Sequence, residues 1–253
     1  MKKYIVFITD CVDIAYNELR GVILSMIGAR DDIVVEPVVP VAPFSIINGN
    51  FVLRLMAENY PPGTIFSVIL NPVRKRPERL IGKTKKKKFI FAGANTGVFT
   101  WLLRDFGCEE IYEMYDPGFF PFGGKYVHAP VVAKAALGVP LKNLGKPFPL
   151  KKVVKLKIKR GTIVHIDNFG LMKFYDKLPP ELKEGDEVKL KLNNTLIRTV
   201  YGKRMMDFED GEWVLYPGSS LGLPELGKVR EIPRELNVKV GDRIIIQEII
   251  KKR

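Results

Sequence analysis

The sequence predicts a two-part protein: an α/β domain over residues 1–147, with a mostly parallel sheet and helices on both faces, and a smaller β-barrel domain over 148–253. Three observations predict it. Short apolar runs alternate with helical patterns through the first part, as they do in parallel sheets covered by helices. After Gly145-Lys146-Pro147 only short strand-like runs separated by turn residues remain, the pattern of a small barrel or sandwich. The 253 residues suffice for about two domains, and 46% hydrophobic with 27% charged residues is an ordinary globular balance.

Residues 4–9 read as the first strand, and 13–27 as a helix with Ile14, Leu19, Val22, Ile23 and Met26 on one face. Residues 33–39 are rich in β-formers. Ser45 is placed to cap a helix running to about residue 60, which Pro61-Pro62-Gly63 stops, and 64–70 is again a strand. Further strands fall at 89–94 and 110–114, with helices at 97–106 and 129–137, the last carrying Pro130 in its first turn. In the second part 151–158, 162–166, 187–192, 213–216 and 243–249 read as strands. Gly185-Asp186 and Gly241-Asp242 are turn signals just before two of them. Within 151–160, Val154, Leu156 and Ile158 alternate with Lys155, Lys157 and Lys159, the period of a strand with its lysines outward.

Composition excludes several classes. No apolar run approaches the ~20 residues of a membrane span. The basic-then-apolar start is interrupted at Asp10, which favours a strand over a signal peptide. Cys11 and Cys108 cannot make a disulfide framework, and His128 and His165 are too few for a multi-histidine metal site. The expectation is a cytoplasmic protein with no metal and no cofactor. The net charge of +13 concentrates in 74–88 and 151–160. These runs lack interleaved aromatics and no reader motif is present, so a solvated face is preferred to a nucleic-acid surface. Gln247 is the only glutamine beside abundant Lys and Glu, which points to a thermophile.

Five segments could carry chemistry. Asp10 ends the first strand, where ligands gather in open parallel sheets, and a carboxylate there can accept both protons of a vicinal diol. The competing reading is that Asp10 or Asp13 caps the following helix. No glycine-rich dinucleotide fingerprint follows, so NAD by the usual route is not expected. Asn71-Pro72 leads into the arginines at 74, 76 and 79, as a ligand loop or an exposed basic hairpin. Phe122-Gly123-Gly124-Lys125 either exposes backbone N–H groups or is a plain turn. Asp167-Asn168-Phe169-Gly170 carries an acid and an aromatic ring, and Pro217-Gly218-Ser219-Ser220 follows another strand.

Taken in order, these segments resemble one family. Thr9-Asp10, Tyr16 with Glu18-Leu19-Arg20-Gly21, Pro62-Gly63-Thr64, Asn71-Pro72 and Asn95-Thr96-Gly97 come first. Phe122 to Lys125, Ala129-Pro130, Ile166 to Gly170 and Gly218-Ser219 follow. The order is similar to that of the S-adenosyl-L-methionine hydroxide adenosyltransferases, relatives of the fluorinase and chlorinase. The resemblance implies an α/β domain followed by a β-barrel, assembled as a homotrimer. The site would lie between the first domain of one subunit and the second domain of its neighbour. It implies that Asp10 holds the ribose hydroxyls, that Phe169 lies on the adenine ring, and that Asp167 and Ser219 meet the methionine end. Asn95 and Leu171 fall at further ligand positions.

The family's reaction adds water to the ribose C5′ and expels methionine, with an Asp, an Arg and a His ordering that water. Here the Asp and His positions hold Asn71 and Gly123, and Arg79, Arg76 or Arg74 supplies the arginine. Asn71 cannot take a proton, and Gly123 has no side chain. Leu171 removes an amide that reads the adenine edge. The expectation is a binder of S-adenosylmethionine or adenosine with weak or altered hydrolase activity. The alternatives are a non-enzymatic binder or sensor and, more weakly, an RNA-associated protein. His128, five positions after Gly123, is either a displaced base or structural.

Overall fold

Strand β1 (Lys3–Thr9) has Ile5 and Phe7 on one side and Val6 and Ile8 on the other, all four fully buried. A strand apolar on both faces belongs in the middle of a sheet covered on both sides. The computed structural model describes residues 2–70, 76–116, 118, 121–234 and 236–251. They form two compact units, 1–156 and 157–253.

In the first unit β1 pairs in parallel with β2 (Ile33–Val35), β3 (Val39–Pro40) and β4 (Ile65–Ile69), and β4 pairs in parallel with β6 (Ile90–Ala94). Helices α1 (Ile14–Ile27) and α4 (Ala129–Ala136) cover one face, where Leu19, Ile23 and Val132 share a core with Ile5 and Phe7. Helices α2 (Ile46–Asn59) and α3 (Thr100–Phe106) cover the other, with Phe51 edge-on to Trp101 and Phe66 between Tyr60 and Phe89. Asp13 caps α1 through Ala15 N–H and Ser45 caps α2 through Asn48 N–H. The expected apolar face of α1 is right at Leu19 and Ile23 but wrong at Ile14, which is 77% exposed.

The sheet is mixed: a parallel set, β1 with β2, β3 and β4 and β4 with β6, is extended by antiparallel pairings. β5 (Arg79–Lys83) runs antiparallel to both β6 and β7 (Glu110–Met114), and β7 runs antiparallel to β8 (Gly145–Pro147). The sequence concealed β5 because its hairpin to β6 is turned by lysines. Lys87 and Lys88 take φ of 55° and 51°, a role hairpins usually give to Asn and Gly. Lys87 Nζ donates to the Ala57 and Glu58 carbonyls at the end of α2, and Lys86 Nζ to the Asp105 carbonyl in α3. Cations there offset the negative helix end. The reversal also has a consequence for the site. Arg79 opens β5 opposite Ala94, the last residue of β6, so the start of β5 and the end of β7 reach the edge where β1 and β4 finish.

Residues 151–158 do not form the expected strand. A short helical turn (Leu150–Lys152) leads into extended chain held by side chains. Asn95 accepts from Val154 N–H and donates to the Lys152 carbonyl, and Thr100 Oγ1 accepts from Leu156 N–H. The alternation is real, but no neighbouring strand pairs with it among the described residues.

The second unit is one sheet in the order β15-β11-β12-β13-β14-β10-β9. Its strands are β9 (Thr162–Ile166), β10 (Met172–Tyr175), β11 (Glu187–Leu192), β12 (Thr195–Tyr201), β13 (Trp213–Pro217), β14 (Pro224–Lys228) and β15 (Ile244–Ile250). Its two ends meet: Thr162 bridges Arg243, Ile163 N–H donates to Asp242 O and Ile244 N–H to Gly161 O. A Cβ on Gly161 would stand 2.2 Å from the Ile244 carbonyl oxygen, so this closure needs glycine. The sheet is thereby curled into a half-barrel around Ile163, Phe174, Leu190, Leu215 and Leu226. No helix among the described residues is long and apolar enough to cross a membrane.

Candidate active site

At the carboxyl end of β1 the competing readings of Asp10 separate. Asp13 caps α1, so Asp10 is not needed there. Its Oδ2 instead accepts the Phe44 N–H at 2.8 Å. That bond holds Phe44 in the left-handed region at φ 58°, with its ring 65% exposed. A bulky residue there costs roughly 1–2 kcal/mol and persists only where something fixes it. Phe44 was not legible as a site residue, because positive φ at phenylalanine leaves no mark in sequence.

The same edge collects a second group. Asp116 Oδ2 is shared by Arg79 Nη1 at 2.8 Å and Arg76 Nη2 at 2.5 Å, and Arg76 also donates to the Gly118 carbonyl. The Arg79 side chain is only 13% exposed, and burial with the nearby Arg76 charge pulls its pKa down. Gly123 has φ −58°, which any residue adopts. A Cβ there would lie 2.2 Å from Arg79 Nη2, so a side chain at this position would have to push the guanidinium aside. The guanidinium therefore occupies the volume of the missing side chain. Gly124 nests against Leu19 and Ile69, and Lys125 pairs with Glu18 at 2.6 Å.

His128 ends the turn that opens α4 and is 5% exposed. Burial first, then the Arg79 charge, push its pKa down to about 3, so the ring is neutral near pH 7. Its Nδ1 has no hydrogen-bond partner among the described residues. Asn95 lies on the same edge, but its amide is engaged by Glu78, Lys152 and Val154. Asn71 and Arg74 lie outside the described residues.

The second unit holds the other candidates. Asp167 Oδ1 accepts the N–H groups of Phe169 and Leu171, and the Asp167 carbonyl accepts that of Gly170. This closed turn lifts the Phe169 ring to 63% exposure. The Leu171 side chain lies over Gly227, where a Cβ would meet its Cδ2 at 2.3 Å. Beside the turn is a groove of about 230 Å³ lined by Ile166, Asp167, Gly170, Met172, Pro233 and Leu236. Ser219 is exposed in the turn after β13.

One feature of this unit was missed by sequence reading. His165, Lys173, Glu225 and Tyr216 are successive cross-strand neighbours on β9, β10, β14 and β13. Lys173 pairs with Glu225 at 3.0 Å, both buried, and the Tyr216 O–H donates to Glu225 at 2.7 Å. Burial and that carboxylate push the Tyr216 pKa far up, and burial lowers that of His165. Strands β10 and β14 were unread, so the row had no frame. Among the described residues no group of three His, Cys, Asp or Glu side chains is placed to hold a metal ion.

The fold and this polar edge define an α/β protein with ligand-type loops at its strand ends, followed by a half-barrel. Residues 5–145 match the SAM hydroxide adenosyltransferase N-terminal domain, and the chain belongs to that family. It is 25% identical over 200 residues to the (R)-S-adenosyl-L-methionine hydrolase of Methanocaldococcus jannaschii, covering 75% of this chain and 72% of that one. A crystal structure of an uncharacterized conserved protein from Thermotoga maritima superposes with a TM-score of 0.81 at 24% identity, over 96% of this chain and all of the other (100%). A conserved hypothetical protein from Thermus thermophilus gives 0.75 at 20% identity, over 98% and 100%. Those two likenesses show the fold alone.

Proposed function

We propose that this chain binds S-adenosylmethionine and hydrolyses it slowly, water attacking the ribose C5′ and methionine leaving, with adenosine as the second product. Membership of the family supports the substrate class. The observation that carries the reading is Asp10, fixed by Phe44 N–H at the carboxyl end of β1, where a carboxylate suits a ribose diol. In this reading Phe169 stacks on adenine, Asp167 and Ser219 meet the methionine end, and Asn95 and Leu171 line the ligand. The assembly is a homotrimer whose neighbouring subunits share each site. Turnover is slow because Asn71 and Gly123 bring no acid or base.

Incubating the protein with S-adenosylmethionine and separating the products tests this. Equal amounts of adenosine and methionine, formed slowly, are expected. Tight adenosine binding without either product would favour the second reading, a sensor, for which the replacements at 71 and 123 speak. Bonds made by the hairpin lysines speak against the RNA reading: Lys86 and Lys87 are bonded to helix carbonyls and Lys88 to Glu109. Affinity for RNA falling steeply with salt would revive it.

A further inference from the structure

We infer that Glu225 is a positioning residue: it ties the turn that carries Ser219 to the strand that leaves the Asp167 turn, and so sets the spacing at which one ligand meets both. The inference deepens the adenosyl reading proposed above and rests on it. Glu225 stands on β14, the middle one of three strands, and its neighbours in register are Lys173 on β10 and Tyr216 on β13. It uses both. Lys173 Nζ lies 3.0 Å from Oε1, an ion pair by distance though not an aligned hydrogen bond, and the Tyr216 O–H donates to Oε2 at 2.7 Å. Glu225 and Lys173 are buried. A buried charge pair is weak evidence for stability, since well-packed apolar residues hold a fold as well. Its place between two turns gives it another use.

The turn after β13 is closed by the Gly218 N–H on the Leu223 carbonyl and the Leu223 N–H on the Ser220 carbonyl. At its tip Leu221 and Gly222 both take the left-handed region, at φ 56° and 65°. A leucine there is strained and stays only where its surroundings fix it. What the turn rests on is Glu225: a Cβ added to Gly218 would lie 2.3 Å from Oε1 and 2.5 Å from Cγ. The glutamate side chain thus packs directly against the residue before Ser219. On the other side, Lys173 is two residues past Leu171, whose N–H closes the Asp167 turn. Of the two turns, adenosine meets only that of Asp167, through Phe169. S-adenosylmethionine meets Ser219 as well, so it alone feels how the turns are spaced.

Calorimetry on the whole protein with S-adenosylmethionine and with adenosine reads this difference. Glu225→Gln alone leaves Lys173 buried without a counter-charge and endangers the fold. The variant is therefore Lys173→Met with Glu225→Gln, neutral at both places. It should bind S-adenosylmethionine roughly tenfold more weakly, which is what about one positioned hydrogen bond contributes, and adenosine as the wild type does. Tyr216→Phe, which keeps the ring and frees Oε2, should show the same split in smaller measure. On a Ser219→Ala background the double change should weaken S-adenosylmethionine binding by less than about twofold, because the contact it positions is already gone. Equal losses for the two ligands, loss of neither, or an undiminished loss on the Ser219→Ala background each overturns the inference. A wild type that binds neither ligand overturns instead the adenosyl reading beneath it.

Discussion

The edge of the first unit and the turn of the second treat their acids in opposite ways. Asp167 closes its own loop, taking two N–H groups within four residues, and the Phe169 ring is presented on a turn that satisfies itself. Asp10 reaches 34 residues along the chain to pin Phe44. Asp116 reaches 37 back to Arg79, and His128 is buried with no partner for its Nδ1 among the described residues. Local turns are self-sufficient and legible in sequence. Long-range polar clusters depend on the sheet order that assembles them, and incomplete satisfaction in them marks a place for a guest.

The strongest test of this contrast is Gly123→His. Restoring the family's side-chain type would be expected to help, but a Cβ at this position meets Arg79 Nη2 at 2.2 Å, so the guanidinium must shift from its present position beside Asp116. Alone, the change should cut turnover ~10²-fold or more, because the positioned donor is lost. Combined with Asn71→Asp it should raise turnover above that of the single variant, since groups that act as a unit do not add. Product formation by chromatography, with substrate well above KM, measures both. A gain from Gly123→His alone would show that Arg79 is not needed where it stands.

The second test compares the two acids. Asp10→Ala removes an ionised acceptor and the tether of Phe44. Charge-assisted hydrogen bonds contribute ~1.5–3 kcal/mol, so adenosine affinity by calorimetry should fall roughly tenfold to a hundredfold. Phe169→Ala removes a stacking face contributing ~1–3 kcal/mol per base and should leave the fold intact, because the ring is exposed. Equal affinity in both variants and the wild type would mean that adenosine binds elsewhere.

How much of this was readable follows the same division. β1, β4, α1 and α2 announced themselves by apolar runs and by caps read at Asp10 or Asp13 and at Ser45; the caps in place are Asp13 and Ser45. β5 did not, because its turn uses lysines at positive φ, and with it went the mixed sheet and the placement of Arg79 beside Gly123. The order of motifs pointed to the family. It could not tell that an arginine fills the volume over the glycine, since only the antiparallel return of β5 and β7 brings 79, 116 and 123 together. The apparent strand at 151–158 misled for the converse reason: a period of two without a partner strand is only extended chain.

A third, smaller effect is on stability against pH. His128 titrates at about 3 in the folded protein and at ~6.5 when unfolded. Between those values the unfolded chain carries the extra proton, so stability is intact above ~6.5 and falls as the pH drops, by ~1.4 kcal/mol per unit from this group. His128→Phe removes that slope and keeps the ring volume. Urea unfolding at pH 7, 6 and 5 should therefore show the variant losing less stability than the wild type. Parallel curves would mean that the histidine is solvated, and the buried half of the comparison would fail.

The smallest effect concerns the lysine hairpin. Lys87 donates to the Ala57 and Glu58 carbonyls and lies over the Phe89 and Phe106 rings at 5.6 and 5.9 Å. Each contribution at an exposed site is ~0.3–1 kcal/mol, and the strained backbone at φ 55° remains in the alanine variant. Lys87→Ala should therefore lose about 1 kcal/mol, a shift of ~2–4 °C in Tm for a domain of this size. Lys87→Gly should recover part of that, because glycine adopts positive φ without strain even though it makes neither bond. Lys85, in the same hairpin, lays its stem against Gly107 rather than reaching a helix-end carbonyl among the described residues. Lys85→Ala is therefore the control, expected to stay within ~0.5 kcal/mol of the wild type. If all three variants melt with the wild type, the helix-end bonds contribute nothing and the hairpin's charge is free for another role. A drop for Lys87→Ala, partly restored by glycine, identifies the basic run as the clasp that holds two helix ends to the turn, the self-sufficient kind of element rather than the waiting kind.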